Sequence, residues 1–376
     1  MNSRDLFRTC GRILAGRRPL LSIEITRECP LRCPGCYAYE DNHVGEGINL
    51  RQLADKQGEA LVQEVLRVVD QHRPLHLSIV GGDPLVRFRE LEVLLPQLES
   101  RKLPVQIVTS AFREIPKSWS QLRNLSIAVS VDGLQPEHDV RRKPATYERI
   151  LKNIQGHSVT IHCTVTAQMV ERPGYLDEFL AFWSAKQETR RVWISFFTPQ
   201  RGASEPEILS PEQRLQAVRD LLRLRELYPK LDMRRSLIRE FLHPPSSPEE
   251  CVFAQTTDVV SADLTTKILP CQFGGDPDCS QCGCMASMGL ASVGHLRLAP
   301  GVTVANVLQA SRRIGSALKA MTRKRQLERP DSPRLTQISL QKDAWPADNV
   351  RKFPSHPEYT TAEARKTDVQ TEIRPT

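Results

Sequence analysis

From Leu20 onward the chain alternates two kinds of run, and that alternation limits the fold more than any other feature. β-branched segments recur as LLSIEIT (Leu20 to Thr26), HLSIVGG (His76 to Gly82), VQIVTSA (Val105 to Ala111), LSIAVSVDG (Leu125 to Gly133), VTIHCTVTA (Val159 to Ala167) and RVWISFF (Arg191 to Phe197). They read as six buried strands. Between them lie runs such as LADKQGEALVQEVLRVVDQH, FRELEVLLPQLESR, TYERILKNIQGH and GYLDEFLAFWSAK, with apolar residues three and four apart as on one face of a helix. Alternating β and α units predict a parallel sheet, either an open doubly wound sheet or an incomplete barrel. In both, binding groups collect at the C-terminal ends of the strands.

The remaining chain divides by composition. Residues 1–19 mix Arg with Leu, Ile and Phe and read as a short helix leading into the first strand; a transit peptide or a surface-seeking amphipathic helix is the alternative. The strand and helix core extends over 20–242, its last part a long helical pattern from Pro211. HPPSSPEE at 243–250 reads as a linker. A cysteine-rich region follows at 251–299, then a helical extension at 300–323. Residues 324–376, rich in Pro, Asp, Arg, Lys and Thr without apolar periodicity, read as disordered. The net charge of +8 has no polybasic block, so it predicts a mildly basic surface and no nucleic-acid binding. The ten cysteines are clustered as metal ligands are, which fits a reducing, cytoplasmic setting. No apolar run approaches the ~20 residues of a membrane span.

The sharpest chemical signal is CPLRCPGCY, Cys29 to Tyr37, directly behind the first strand. Three thiolates on one tight loop ligate three corners of a metal cluster, and Pro30, Pro34 and Gly35 suit a chain that wraps without becoming helical. A four-iron cluster held this way is one corner short, and an open coordination position is where a cofactor or substrate binds. Zinc is an alternative, although its motifs show C-x2-C pairs with a second pair downstream. A simple redox pair of Cys33 and Cys36 leaves Cys29 unexplained. At the end of the second strand stands GGDP, Gly81 to Pro84. Its glycines let backbone approach a ligand closely, and Asp83 is able to accept from a cationic amine; taken alone, the tetrapeptide reads as a β-turn.

C-x3-C-x2-C after a first strand, followed by GGDP at the end of a second, resembles the radical S-adenosylmethionine (radical SAM) superfamily over Leu20 to about Phe197. The resemblance implies an α/β fold, a partial (β/α)6 barrel. It implies a [4Fe-4S] cluster on Cys29, Cys33 and Cys36, whose fourth iron is chelated by the amino and carboxylate groups of SAM, with Gly81, Gly82, Asp83 and Pro84 in the SAM site. Two positions depart from the family pattern. Asp83 stands where Glu is commoner, and Gly35 stands where many members carry an aromatic, which makes Tyr37 the candidate cover for the adenine. Thr109 and Ser110, and more strongly Ser130 and Asp132, are candidates for holding the ribose and methionine portions, with turn or helix-cap roles as the alternative. His162 and Cys163 read as structural.

A second group, Cys271, Cys279, Cys282 and Cys284, with Cys251 upstream, resembles the abbreviated auxiliary-cluster regions of SPASM or twitch type. One further [4Fe-4S] cluster, one zinc or unligated thiols remain open there. GGDP recurs at Gly274 to Pro277, follows no clear strand and reads as a turn. The function implied by the resemblance is reductive cleavage of SAM to a 5′-deoxyadenosyl radical, with a one-electron donor such as flavodoxin or ferredoxin. A peptide or protein substrate is favoured over a small molecule or lipid. A metal-stabilised binding protein is the non-enzymatic alternative.

Overall fold

The computed structural model describes residues 3–144 and 146–327. Helix α1 (Ser3–Leu14) leads into β1 (Leu20–Glu24), then α2 (Gly58–His72), β2 (His76–Val80), α3 (Phe88–Ser100), β3 (Val105–Thr109) and β4 (Leu125–Ser130). The succession continues with α4 (Glu137–Arg141), α5 (Tyr147–Asn153), β5 (Val159–Val165), α6 (Ala167–Glu171), α7 (Tyr175–Ala185) and β6 (Thr189–Phe196). After these come α8 (Pro211–Leu227), α9 (Arg235–Glu240), α10 (Val252–Thr256), β7 (Thr257–Val260), α11 (Met285–Gly294), the small antiparallel pair β8 (Arg297–Ala299) and β9 (Val302–Thr303), and α12 (Val304–Leu327).

The main sheet has the order β6-β5-β4-β3-β2-β1-β7, every pairing parallel. A doubly wound sheet reverses its strand order at a switch point; here β1 to β6 follow one another without reversal, as in a barrel. β7 was not among the six expected strands. Its four residues, TDVV, are too few to show a period, and they lie in the stretch read from sequence as a separate cysteine region, yet they pair with Leu20–Ile23 of β1. The long helical pattern from Pro211 also divides, ending at Leu227 and resuming at Arg235, because Pro229 has no N–H to donate and pushes Tyr228 out of the helical region. Of the stretch read as disordered, residues 324–327 form the last turn of α12 and 328–376 lie outside the described residues.

Alternation along the strands separates two faces. Leu21, Ile23, Leu77, Ile79, Ile107, Ile127, Val129, Ile161 and Ile194 point into the core shared with Leu61, Val65, Leu94, Leu98, Ile150, Phe179 and Trp183 of the covering helices. Cutting Trp183 to Ala there costs about 3–5 kcal/mol. The other face is polar. Ser22, Ser78, Gln106 and Ser126 stand in register across β1 to β4, and Ser130, His162 and Trp193 across β4 to β6. The interior of a closed α/β barrel is filled mainly by Val, Ile and Leu. Small hydroxyl side chains leave this inner face lined with hydrogen-bonding groups instead. Among the described residues, no helix is long and apolar enough to cross a membrane.

Candidate cluster and cofactor site

The cysteine loop is stitched to the GGDP loop by backbone hydrogen bonds: Gly82 N–H donates to Thr26 C=O at 2.9 Å and Asp83 N–H to Glu28 C=O at 2.8 Å. This contact is why both glycines are needed. A Cβ on Gly82 would lie 2.0 Å from the Glu28 carbonyl oxygen, and one on Gly81, at φ +95°, 2.6 Å from Glu24 Cα. Within the loop, Leu31 N–H donates to Cys29 Sγ at 3.4 Å and Arg32 N–H to Lys143 C=O at 2.6 Å. Cys29, Cys33 and Cys36 are free thiols, half-buried and close enough for their charges to interact. Burial pushes Cys29 up to about 12 and Cys36 up to about 11, and raises Cys33 as well. Such thiols stay protonated at neutral pH unless a metal takes the place of the proton.

Asp83 is more deeply committed than sequence suggests. Its Oδ1 accepts from Leu85 N–H at 3.0 Å and Thr109 Oγ1 at 2.6 Å, and its Oδ2 from Ser110 N–H at 2.8 Å and from the Ser110 hydroxyl. A carboxylate offers about four lone-pair sites, so the direct amine contact expected of Asp83 meets an acceptor already filled. Thr109 and Ser110 are engaged in the same network. Pro84 opens the short 3-10 turn that Asp83 caps. Ser130 ends β4 on the polar face, opposite His162 in register. Asp132 accepts from Arg142 Nε at 2.9 Å, Arg141 Nε at 3.2 Å and Thr164 N–H at 3.0 Å. Burial opposes its charge, yet the two guanidinium groups outweigh that and hold it far below the usual carboxylate range. Tyr37 packs edge-on against Phe273 at 5.3 Å and its hydroxyl accepts from Gln272 Nε2 at 3.1 Å, which turns it toward the second cysteine region.

Three groups escaped the sequence reading. Arg142 reaches from the end of α4 to where its charge interacts with Cys33 and Cys36. Arg87, 8% exposed at its side chain, pairs with Glu28 at 3.0 Å and Asp55 at 2.8 Å, bracing the cysteine loop from behind. Glu24 is fully buried and accepts from His43 Nε2 at 2.8 Å and Ser261 Oγ at 2.7 Å. Only Glu24 left a trace, as an acid in the middle of a β-branched run. Arg87 and Arg142 carry no local signal, because their partners lie 59 and 10 residues away.

In the second region Cys251 joins Cys271, Cys279, Cys282 and Cys284, all free and within mutual electrostatic reach. Arg214 on α8 donates to the carbonyls of Gln281 at 2.6 Å and Cys282 at 3.1 Å, and Gly283 accepts from Phe196 N–H at 2.9 Å. These bonds fasten the segment to β6. Burial raises Cys279 to about 11, Cys282 to about 12 and Cys284 to about 11. Among the described residues, no three His, Cys, Asp or Glu side chains converge on a position for a single metal ion.

Residues 23–178 match the Radical SAM superfamily. The chain carries a radical SAM domain. That domain makes the protein an enzyme; radical SAM domains use a [4Fe-4S] cluster and SAM, and the match spans β1 to β5 with both the cysteine loop and the GGDP loop. Among solved structures, it is similar to a histidine-tagged anSMEcpe with bound AdoMet, at 18% identity and a TM-score of 0.47 over 68% of this chain and 74% of that one. It is also similar to Streptococcus suis SuiB bound to precursor peptide SuiA, at 16% identity and a TM-score of 0.47 over 84% of this chain and 70% of that one. No curated protein matches the chain.

Proposed function

We propose that Cys29, Cys33 and Cys36 hold the [4Fe-4S] cluster, that SAM binds between this loop, Gly81–Pro84 and Ser130, and that the enzyme modifies a polar substrate, a peptide or protein. The observation that carries the reading is that three free thiols share one loop, and that this loop packs against a glycine pair that admits no side chain. Soft thiolate donors on a non-helical loop suit iron–sulfur ligation. When bound, the cluster and SAM supply the electron transfer and the radical chemistry. The protein's own residues do the rest. Asp83, filled by its four donors, fixes the shape of the GGDP loop. Asp132 orients Arg141 and Arg142, whose positive charge beside Cys33 and Cys36 offsets that of the thiolates. Cys271, Cys279, Cys282 and Cys284, with Cys251, are the donors for an auxiliary cluster.

The inner face of the sheet supports this substrate class. Ser78, Gln106 and Ser126 are half-buried there; Ser126 Oγ donates to Val105 C=O at 3.4 Å, whereas an acyl chain laid over Ser78 and Gln106 would leave a hydroxyl and an amide without partners, at about 1–3 kcal/mol each. Peptide amides and polar side chains satisfy them. The test is anaerobic reconstitution. The wild-type protein should take up iron and sulfide, absorb broadly near ~400 nm and, under strong reduction, convert SAM to 5′-deoxyadenosine. Replacement of Cys29, Cys33 and Cys36 by Ala should abolish that cleavage. Stoichiometric zinc without iron uptake would overturn the cluster assignment; faster cleavage with acyl lipids than with peptides would overturn the substrate class.

A further inference from the structure

The outer side of the cysteine loop is open to solvent at Pro30, Arg32, Pro34 and Gly35. Four exposed cations frame it. Arg27 precedes the loop, Arg32 lies within it, and Lys143 is tied to it through the bond from Arg32 N–H. Arg51 is joined to Arg27, whose guanidinium donates to the Arg51 carbonyl at 3.4 Å and the Leu53 carbonyl at 2.9 Å. Arg51 itself is held over the Tyr39 ring, 3.9 Å from its centroid. Among the described residues none of the four makes an ion pair with a carboxylate; the nearby acids Glu28 and Asp55 share the single guanidinium of Arg87, which leaves one negative charge against the four positive ones. Arg32, Cys33, Pro34, Tyr39 and Arg51 line an open cavity of about 410 Å³ at this rim.

A rim of uncompensated cations selects its visitor by charge. SAM does not fit, because its ammonium and sulfonium outweigh its carboxylate and make it a net cation. An anionic substrate would have to reach the inner face of the sheet, whereas an electron has only to cross the loop. We infer that Arg27, Arg32, Arg51 and Lys143 form the docking surface for an acidic one-electron carrier protein that seats over Cys33. The inference rests on the proposed cluster site. In the step it serves, one electron would pass from the reduced carrier, which is thereby oxidised, to the cluster that Cys29, Cys33 and Cys36 would hold; no bond forms or breaks, and the rim transfers no proton. Exposed charges of this kind act mainly on association, so the contact is salt-sensitive.

The experiment uses the full cluster-loaded chain with flavodoxin, and separately ferredoxin, as probes, and measures binding by calorimetry alongside reduction. Affinity for the carrier should weaken about tenfold or more between about 0.02 and about 0.2 M salt. The triple variant Arg27→Glu, Arg32→Glu, Arg51→Glu should weaken it about tenfold or more at low salt, while Arg219→Glu, exposed on α8, stays within about twofold. SAM cleavage driven by the carrier should fall about tenfold relative to dithionite-driven cleavage by the same triple variant. Equal losses with both reductants would overturn the proposal and assign the rim to cofactor or substrate. So would an affinity weaker than about 1 mM for both carriers at low salt. If wild-type protein failed to cleave SAM even with dithionite, the proposed function would fall, and the binding measurement would still judge the docking surface.

Discussion

The two GGDP segments share a sequence and one physical duty, and differ in everything else. In each, a glycine sits where a Cβ would strike the backbone that follows β1: Gly82 against the Glu28 oxygen at 2.0 Å, Gly274 against the His43 oxygen at 1.9 Å. The acids part company. Asp83 is 2% exposed and receives four hydrogen bonds from the end of β3 and its own turn. Asp276 lies at the surface in an ion pair with Arg201 at 3.3 Å, both side chains mostly exposed. The tetrapeptide therefore specifies a close approach of two backbones. Whether its acid becomes internal framework depends on whether strand ends converge above it.

The largest effects test the shared duty. Gly82→Ala and Gly274→Ala each force a backbone displacement and should lower stability by about 4 kcal/mol or more in denaturant titrations. Only Gly82→Ala should also abolish SAM binding; if Gly274→Ala did so equally, the two segments would belong to one site and the contrast would fail. Next comes the acid. Asp83→Ala strands two hydroxyls and two N–H groups and should cost about 3–5 kcal/mol, with weaker SAM binding in equilibrium titration.

A smaller effect separates the segments by pH. His43 donates from Nε2 to Glu24 and from Nδ1 to Phe273 C=O at 2.9 Å, which requires both nitrogens protonated. Burial opposes that charge, but Glu24, with the Phe273 carbonyl and Glu40, outweighs it and raises the imidazole above its usual range. The folded value lies above the unfolded one, so this stabilisation is complete below pH about 6.5 and is lost as pH rises through the folded value. Hydrogen exchange at residues 271–277 should therefore speed up with rising pH beyond its intrinsic dependence, while residues 81–84 keep their protection. His43→Gln should remove the extra dependence; its persistence would detach His43 from the second segment. The smallest change belongs to Asp276→Ala, within about 0.5 kcal/mol because the pair with Arg201 is exposed.

Much of the parallel architecture was legible because β-branched and helical runs carry their periods locally. The short strand β7 was not, having four residues and a pairing with β1 more than 230 positions away. The shared loop of Cys29, Cys33 and Cys36 and the glycines of GGDP could be read from spacing, since residues that close in sequence stay on one loop wherever it folds. The polar inner face had a trace in the alternation of QIVT, SIAVS and TIHCTV, which a reading of the strands as simply buried passes over. Arg142, Arg87 and His43 left none, because each acquires its meaning from a partner on another element.

The sequence by itself determined that this chain builds βα units, that three thiols share a loop behind the first strand, and that two glycine pairs admit close contacts. Those properties depend on residues near one another along the chain. Only the tertiary structure decided that Asp83 is filled by β3, that Asp132 gathers Arg141 and Arg142, that Tyr37 turns toward Gln272 and Phe273, and that Glu24 joins His43 to Ser261. The reason is electrostatic. A buried charge must find its counterpart or its hydrogen bonds within a few ångströms, and which group stands there is settled by the crossing of distant segments, not by the residues beside it in sequence.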